Sequence, residues 1–95
     1  MEHEDQVLIH NEKLQRFELK IDKHTAFIDY KQKDEAIYLV HTEVPKDLES
    51  QGVAAALVEK TFQYLEKNKL KLVPVCSYIK VFLERNPQWN TLLKT

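Results

Sequence analysis

The hydrophobic period of this chain changes once, close to its only glycine, Gly52. Before that point apolar residues alternate. Phe17, Leu19 and Ile21 share one face of residues 16–21, and Ala26, Ile28 and Tyr30 repeat the pattern within residues 25–31. After it, Ala54, Leu57, Val58, Thr61, Phe62 and Leu65 form one stripe over residues 53–67, with Glu59, Lys60, Gln63, Glu66 and Lys67 opposite. A period of two marks a half-buried strand, and a period of 3.6 marks an amphipathic helix. The chain therefore builds a sheet first and covers it afterwards.

The remaining segments complete the order. Residues 7–10 form a short apolar run, and residues 36–44 (AIYLVHTEV) a longer one suited to a central strand. Residues 22–24 and 32–34 are short polar turns, so the first four strands are expected to run as an antiparallel meander. Residues 70–76 read as a buried strand. Ser77 is the expected N-cap of a second helix over residues 78–85. Asn86-Pro87 ends that helix, because a residue before proline avoids the helical region. Trp89, Leu92 and Leu93 are expected to pack back on the core. The order is β-β-β-β-α-β-α, an α/β (α+β) class. Its mixed sheet is an antiparallel meander plus one parallel strand, added by a right-handed crossover. At 95 residues the chain reads as one domain, 1–95, with residues 1–6 as a loose tail.

Composition excludes several function classes. A formal net charge of −1 argues against a nucleic-acid domain built on a broad basic surface. With 43% hydrophobic and 31% charged residues the chain has a globular balance, not a disordered one. Its longest apolar run, residues 53–58, is too short to span a membrane. Cys76 is the only cysteine, so neither an internal disulfide nor a multi-cysteine zinc site is available. A lone thiol suits a reducing, cytoplasmic setting. His3, His10 and His24 show no metal spacing, and His41 with Glu43 lacks an evident third ligand, so no metal is assigned. A monomer with no nucleic-acid or membrane partner is expected.

Three places carry candidate chemistry. Gly52 lies where the loop after the fourth strand enters the long helix. It either relieves a tight junction or lets backbone approach an anion at the helix N-terminus. Cys76 ends the last strand just before a helix. It is either a buried structural thiol or one whose pKa is lowered by the helix N-terminus. His41, Thr42 and Glu43 end the fourth strand, with His41 and Glu43 on one face and Thr42 on the other. His41 and Glu43 are candidate bases, or else solvated strand-end side chains.

The block HTEVPKDLESQGVAAALVEKTF, followed by PVCSYIKVFLERNPQW, resembles the small, cysteine-bearing branch of the GNAT-type N-acetyltransferases. The resemblance covers about residues 7–90. These are half-size members that lack the helices usual after the first strand. The superfamily's acetyl-CoA loop, Gln/Arg-x-x-Gly-x-Gly/Ala, falls on Glu49, Ser50, Gln51, Gly52, Val53 and Ala54, with Ala55 following. Glu49 departs from the pattern, and a carboxylate repels a pyrophosphate. Backbone N–H groups need no particular side chain, and Gln51 adds a polar group. The resemblance implies that Thr42, Glu43 and Val44 present backbone to the thioester and pantetheine arm. It sets Cys76 where larger relatives often carry asparagine, and it sets Lys80, Arg85 and Asn86 beside the coenzyme A arm or nucleotide. The helix tyrosine that protonates the leaving thiolate in larger relatives falls near Leu83 or Glu84 and is missing; Tyr78, at the start of that helix, is not given its role. The implied function is transfer of an acetyl group from acetyl-CoA to an amine, with Cys76, His41 and Glu43 as catalytic candidates. A half-size domain favours an exposed acceptor such as a protein lysine. An acyl-CoA-binding module with little turnover and a cofactor-free interaction domain are the alternatives.

Overall fold

The computed structural model of the chain describes residues 6–49 and 51–94. Five strands form one sheet in sequence order: β1 (Ile9–Asn11), β2 (Arg16–Ile21), β3 (His24–Lys33), β4 (Ala36–Glu43) and β5 (Lys71–Pro74). The first four are antiparallel and β5 runs parallel to β4, as the order of periods requires. Between β4 and β5 lies the long helix α1 (Val53–Lys67), and α2 (Ser77–Arg85) follows β5. Short 3-10 turns over Lys46–Leu48 and Pro87–Leu92 complete the order.

Alternation decides which face is covered. Phe17 and Leu19 of β2, Ile28 of β3 and Ile37 and Leu39 of β4 join Val53, Leu57, Phe62 and Leu65 of α1 in one core. Each such side chain contributes about 1.5–3 kcal/mol on leaving water. Ile79 and Leu83 of α2 and Leu92 of the final turn join the same core, as the apolar tail implies. Phe62 meets Phe82 and Trp89 edge-on, with ring centroids 5.6 Å away in both cases. Both helices thus lie on one face of the sheet. On the other face Phe27, Tyr38 and Val40 are half-buried and stand outside the core. Among the described residues, no helix is long and apolar enough to cross a membrane.

Several boundaries move for local reasons. Five residues of the expected loose tail, 1–5, lie outside the described residues. The first strand covers Ile9–Asn11 rather than residues 7–10, and Val7 is exposed. A polar anchor holds this edge. His10 stacks on Phe17, its Nε2 lies 2.6 Å from the Tyr30 hydroxyl, and its Nδ1 lies 2.9 Å from the Tyr64 hydroxyl on α1. β3 is longer than expected because both hairpins turn in two residues, with φ 56° at Asp22 and φ 53° and 66° at Asp34 and Glu35. β5 begins late because Lys69 takes φ 58° and the Leu70 N–H turns back to the Leu65 carbonyl, closing α1. It ends at Pro74 because the Val75 and Cys76 N–H groups both donate to the Leu39 carbonyl, so the ladder stops advancing. The N-cap of α2 is Cys76, not Ser77: the Cys76 carbonyl accepts the first helical bond, from Lys80, and the α2 N-cap makes no side-chain capping bond.

A two-residue hairpin with both φ values positive favours Asn-Gly or Asp-Gly. Here the second position is Glu35, and a left-handed conformation costs a residue with a Cβ about 1–2 kcal/mol. Glu35→Gly is therefore expected to stabilise the fold by roughly 0.5–1 kcal/mol, after its larger unfolded-state entropy is deducted. Thermal unfolding should shift upward by about 2–8 °C; a lowered midpoint would contradict this account of the turn.

Candidate functional site

The loop after β4 makes one wall of a cavity. Leu48, buried in the 3-10 turn, pins the loop to the core. Gly52 then takes φ 74°, ψ 10° as the N-cap of α1. A Cβ added there would meet no atom within 4 Å, so the backbone conformation, not crowding, requires glycine. The Gly52 carbonyl accepts from the Ala56 N–H at 3.0 Å, and no side chain caps the helix. The N–H groups of Val53, Ala54 and Ala55 are consequently without intrahelical partners. The first turn carries no acidic residue. It presents the positive end of a fifteen-residue helix dipole.

These residues border a cavity of about 280 Å3. Glu49, Gly52, Val53, Ala54 and Ala55 form one side, and Val44, Leu48 and Tyr78 close it. Six residues expected from the sequence thus meet here. Gln51 does not line the cavity; its amide donates to the Asp47 carbonyl at 3.0 Å. Ser50 lies outside the described residues. Glu49 is the only charged residue in this wall. Sequence reasoning missed Leu48 and set Tyr78 aside. A signal for Tyr78 was its place two residues after Cys76, in the first turn of α2. Burial pushes the Tyr78 phenol up from its ordinary pKa, and the Arg85 charge partly offsets this.

Cys76 lies two residues before Tyr78, at the point where β4 and β5 part. Its Sγ lies 3.4 Å from Thr42 Oγ1. Partial burial pushes the thiol pKa up. Hydrogen bonds from the Thr42 hydroxyl and from the main chain of Ile79, Tyr78 and Thr42 outweigh that, and the thiol falls below its ordinary value. The thiol thus sits at the start of α2, where main-chain N–H groups favour the thiolate.

A β-bulge sets the other side chains. Asp29 pairs with His41 but Tyr30 pairs with Leu39, which makes Val40 the extra residue of β4. Without it, alternation from Leu39 would turn His41 and Glu43 into the core. With it, Thr42 pairs with core-facing Ile28, while His41 and Glu43 take the uncovered face. His41 Nε2 and Glu43 Oε1 are 3.1 Å apart, each side chain 56% exposed. The pair and Cys76 therefore lie on opposite faces of β4, and among the described residues no hydrogen bond joins them. From Val40 onward β4 has a partner strand on one side only.

The α2 candidates do not gather at the cavity. Lys80 borders a separate depression with Pro74, Leu83 and Pro87. The Asn86 amide donates to the Phe82 carbonyl at 2.9 Å and caps α2. Arg85 does not line the cavity, and its charge opposes the burial that raises the Tyr78 pKa. Among the described residues, no three of His, Cys, Asp and Glu gather in a way that could hold a metal ion.

Comparison with known proteins gives two findings. A family model described as GCN5-related N-acetyl-transferase matches residues 16–92. The solution structure of a GCN5-like protein from Staphylococcus aureus, provisionally described as an N-acetyltransferase, superposes with a TM-score of 0.71 at 25% identity, over 93% of this chain and 87% of that one.

The Cys76 geometry predicts a pH profile. A lowered pKa enlarges the thiolate fraction near neutral pH, and only thiolate is alkylated. Iodoacetamide labelling of Cys76 should therefore rise with pH through a midpoint below that of a free cysteine. Thr42→Val removes one of the hydrogen bonds that lower it, so the midpoint should move up. Equal midpoints in the two proteins would discount the Thr42 contact.

Proposed function

The chain belongs to the GCN5-related N-acetyltransferase family, and we propose that it moves an acetyl group from acetyl-CoA to an amine acceptor. The observation that carries this reading is the uncapped N-terminus of α1, opened by the left-handed Gly52 onto a cavity also lined by Val44, the residue after β4, and by Tyr78, two residues after Cys76. A glycine whose Cβ position is open and three helix N–H groups without intrahelical partners fit a diphosphate. The N–H groups of Val53, Ala54 and Ala55 hold it. The β4 main chain around Thr42, Glu43 and Val44 lies beside the acyl arm, with a backbone N–H near Val44 to polarise the carbonyl.

Acetyl-CoA, when bound, supplies an acyl carbon whose C–S bond is exchanged for a C–N bond to the amine. His41, backed by Glu43, accepts the proton that the attacking ammonium must lose. Cys76 holds a proton at Sγ, within reach of a leaving thiolate on the β4 edge. A low-pKa thiol also suits a route in which Cys76 takes the acetyl group first. Direct attack is favoured, because His41 and Glu43 face away from Cys76 and serve an amine arriving from the uncovered side.

A second reading, an acyl-CoA-binding module with little turnover, draws support from Glu49. Its carboxylate is the only charge in the cavity wall, and it opposes a diphosphate.

Titration calorimetry with acetyl-CoA tests the site. Gly52→Asn suits the positive φ and places a side chain in the open space, so it should fold and bind acetyl-CoA more than tenfold more weakly. Gly52→Val should lose binding as well, with added backbone strain at φ 74°. Unchanged affinity in a folded Gly52→Asn protein would remove the assignment. Glu49→Gln relieves a repulsion of about 1 kcal/mol and should tighten binding roughly fivefold.

The mechanism is tested by intact mass after incubation with acetyl-CoA alone. A hydroxylamine-labile adduct on Cys76 identifies the covalent route. With no adduct, Cys76→Ala decides: a loss of about a hundredfold or more in rate with normal binding assigns the thiol to proton transfer. Tight binding by wild type with no transfer to a broad amine panel replaces the enzyme reading with the binding module.

A further inference from the structure

The uncovered face of the sheet has a charge pattern that the transfer chemistry does not explain. Cross-strand register sets Glu18, Phe27 and Glu43 in one row and Arg16, Asp29 and His41 in the next. Arg16 pairs with Asp29 at 2.7 Å and lies 3.9 Å over the Phe27 ring. Glu18, 7% exposed, accepts from the Asn11 amide at 3.3 Å. Three carboxylates against one guanidinium leave these rows a formal −2, with His41 counted as neutral. Further along β3 the sign reverses. Lys31 pairs across to Tyr38, and with Lys33 and Val40 they border a shallow groove of about 340 Å3. Lys20 stands at the opposite corner, beside Thr25, and Asp34 and Glu35 form the hairpin tip beyond Lys33. Phe27 and Lys31 are four positions apart, about 13 Å at the rise of a strand.

We propose that this face docks the acetyl acceptor as an extended polypeptide segment, its reactive lysine at Glu43, in the row of Phe27, and an acidic side chain four residues away on Lys31. The proposal rests on the acetyl-transfer reading. The ammonium meets Glu43 in the rows of net negative charge, and the carboxylate meets the exposed Lys31. In an extended chain, residues four apart point to the same side and span the same 13 Å or so. The groove at Tyr38 and Val40 is shallow, and a small free amine needs a concave site to be held. A segment laid across both rows collects its contacts along its length. The lysine then ends beside His41 and Glu43, at the β4 edge that no strand covers.

The test compares peptides with lysine and glutamate four residues apart, in either order, against peptides with two lysines at that spacing. The readout is kcat/KM with acetyl-CoA. Wild type should prefer the lysine–glutamate peptides by at least tenfold. The double variant Lys31→Glu with Lys33→Glu, exposed and outside the catalytic residues, should reverse that preference. Equal use of the two peptide classes by wild type overturns the proposal, and so does a preference unmoved by the double variant. Faster transfer to a free polyamine than to any peptide also overturns it.

Docking is read separately from chemistry, by amide chemical shifts of the CoA-saturated protein on adding a peptide with arginine in place of the lysine. Shifts centred on Phe27, Asp29 and Lys31 support the surface, and shifts confined to other elements overturn it. Shifts on this face without transfer to any peptide support the surface and remove the acetyl-transfer reading instead.

Discussion

The carbonyl of Leu39 receives two main-chain N–H groups in succession, from Val75 at 3.0 Å and from Cys76 at 2.9 Å. A parallel ladder cannot advance when two consecutive donors share one acceptor. β5 therefore stops, the chain turns into α2, and the outer edge of β4 is left open from the next residue onward. The same point fixes the thiol, which comes to rest against Thr42 with the first turn of α2 around it. One residue further along β4 is the bulge at Val40. Two small departures from ideal pairing, side by side on the central strand, thus create both the open edge and the aim of the side chains around it.

The sheet and its order were legible because periodicity is a strong signal. Phe17, Leu19 and Ile21, or Leu57, Phe62 and Leu65, admit few other arrangements. The glycine was legible as well, since one Gly in the whole chain stands where φ is 74° and the helix begins. What lay out of reach were features without a composition signal. Asp22 and Asp34 tolerate positive φ, but Gln15, Glu35 and Lys69 adopt it against the preference of their side chains. Tertiary pairing overrides their local preference. The bulge is a matter of register, and register depends on what both neighbouring strands demand. Alternation alone grouped His41 with Glu43, but only the bulge explains why that pair faces water and not the core.

The candidate site divides in the same way. Residues close in sequence to Gly52 arrived together, because a loop and the helix it enters are bound by chain connectivity. Lys80, Arg85 and Asn86 were grouped by the family resemblance, which set the second helix beside the coenzyme A arm, and a helix points its residues in all directions. Lys80 faces a different depression and Asn86 caps the helix end, while Tyr78, two residues before Lys80, reaches the cavity. Proximity along a strand or loop carries over into space more faithfully than proximity along a helix.

The sheet is covered on one side only, and this separates two kinds of selection that most small domains must satisfy with the same residues. Side chains on the helix side determine whether the chain folds, and replacing one there costs several kcal/mol. Those on the other side touch little of the core, so exchanging them generally changes stability by about half a kcal/mol or less. A lineage carrying this scaffold can drift through many different recognition surfaces on a constant foundation. Its members are then expected to diverge fastest where they meet other molecules, and slowest where they meet themselves.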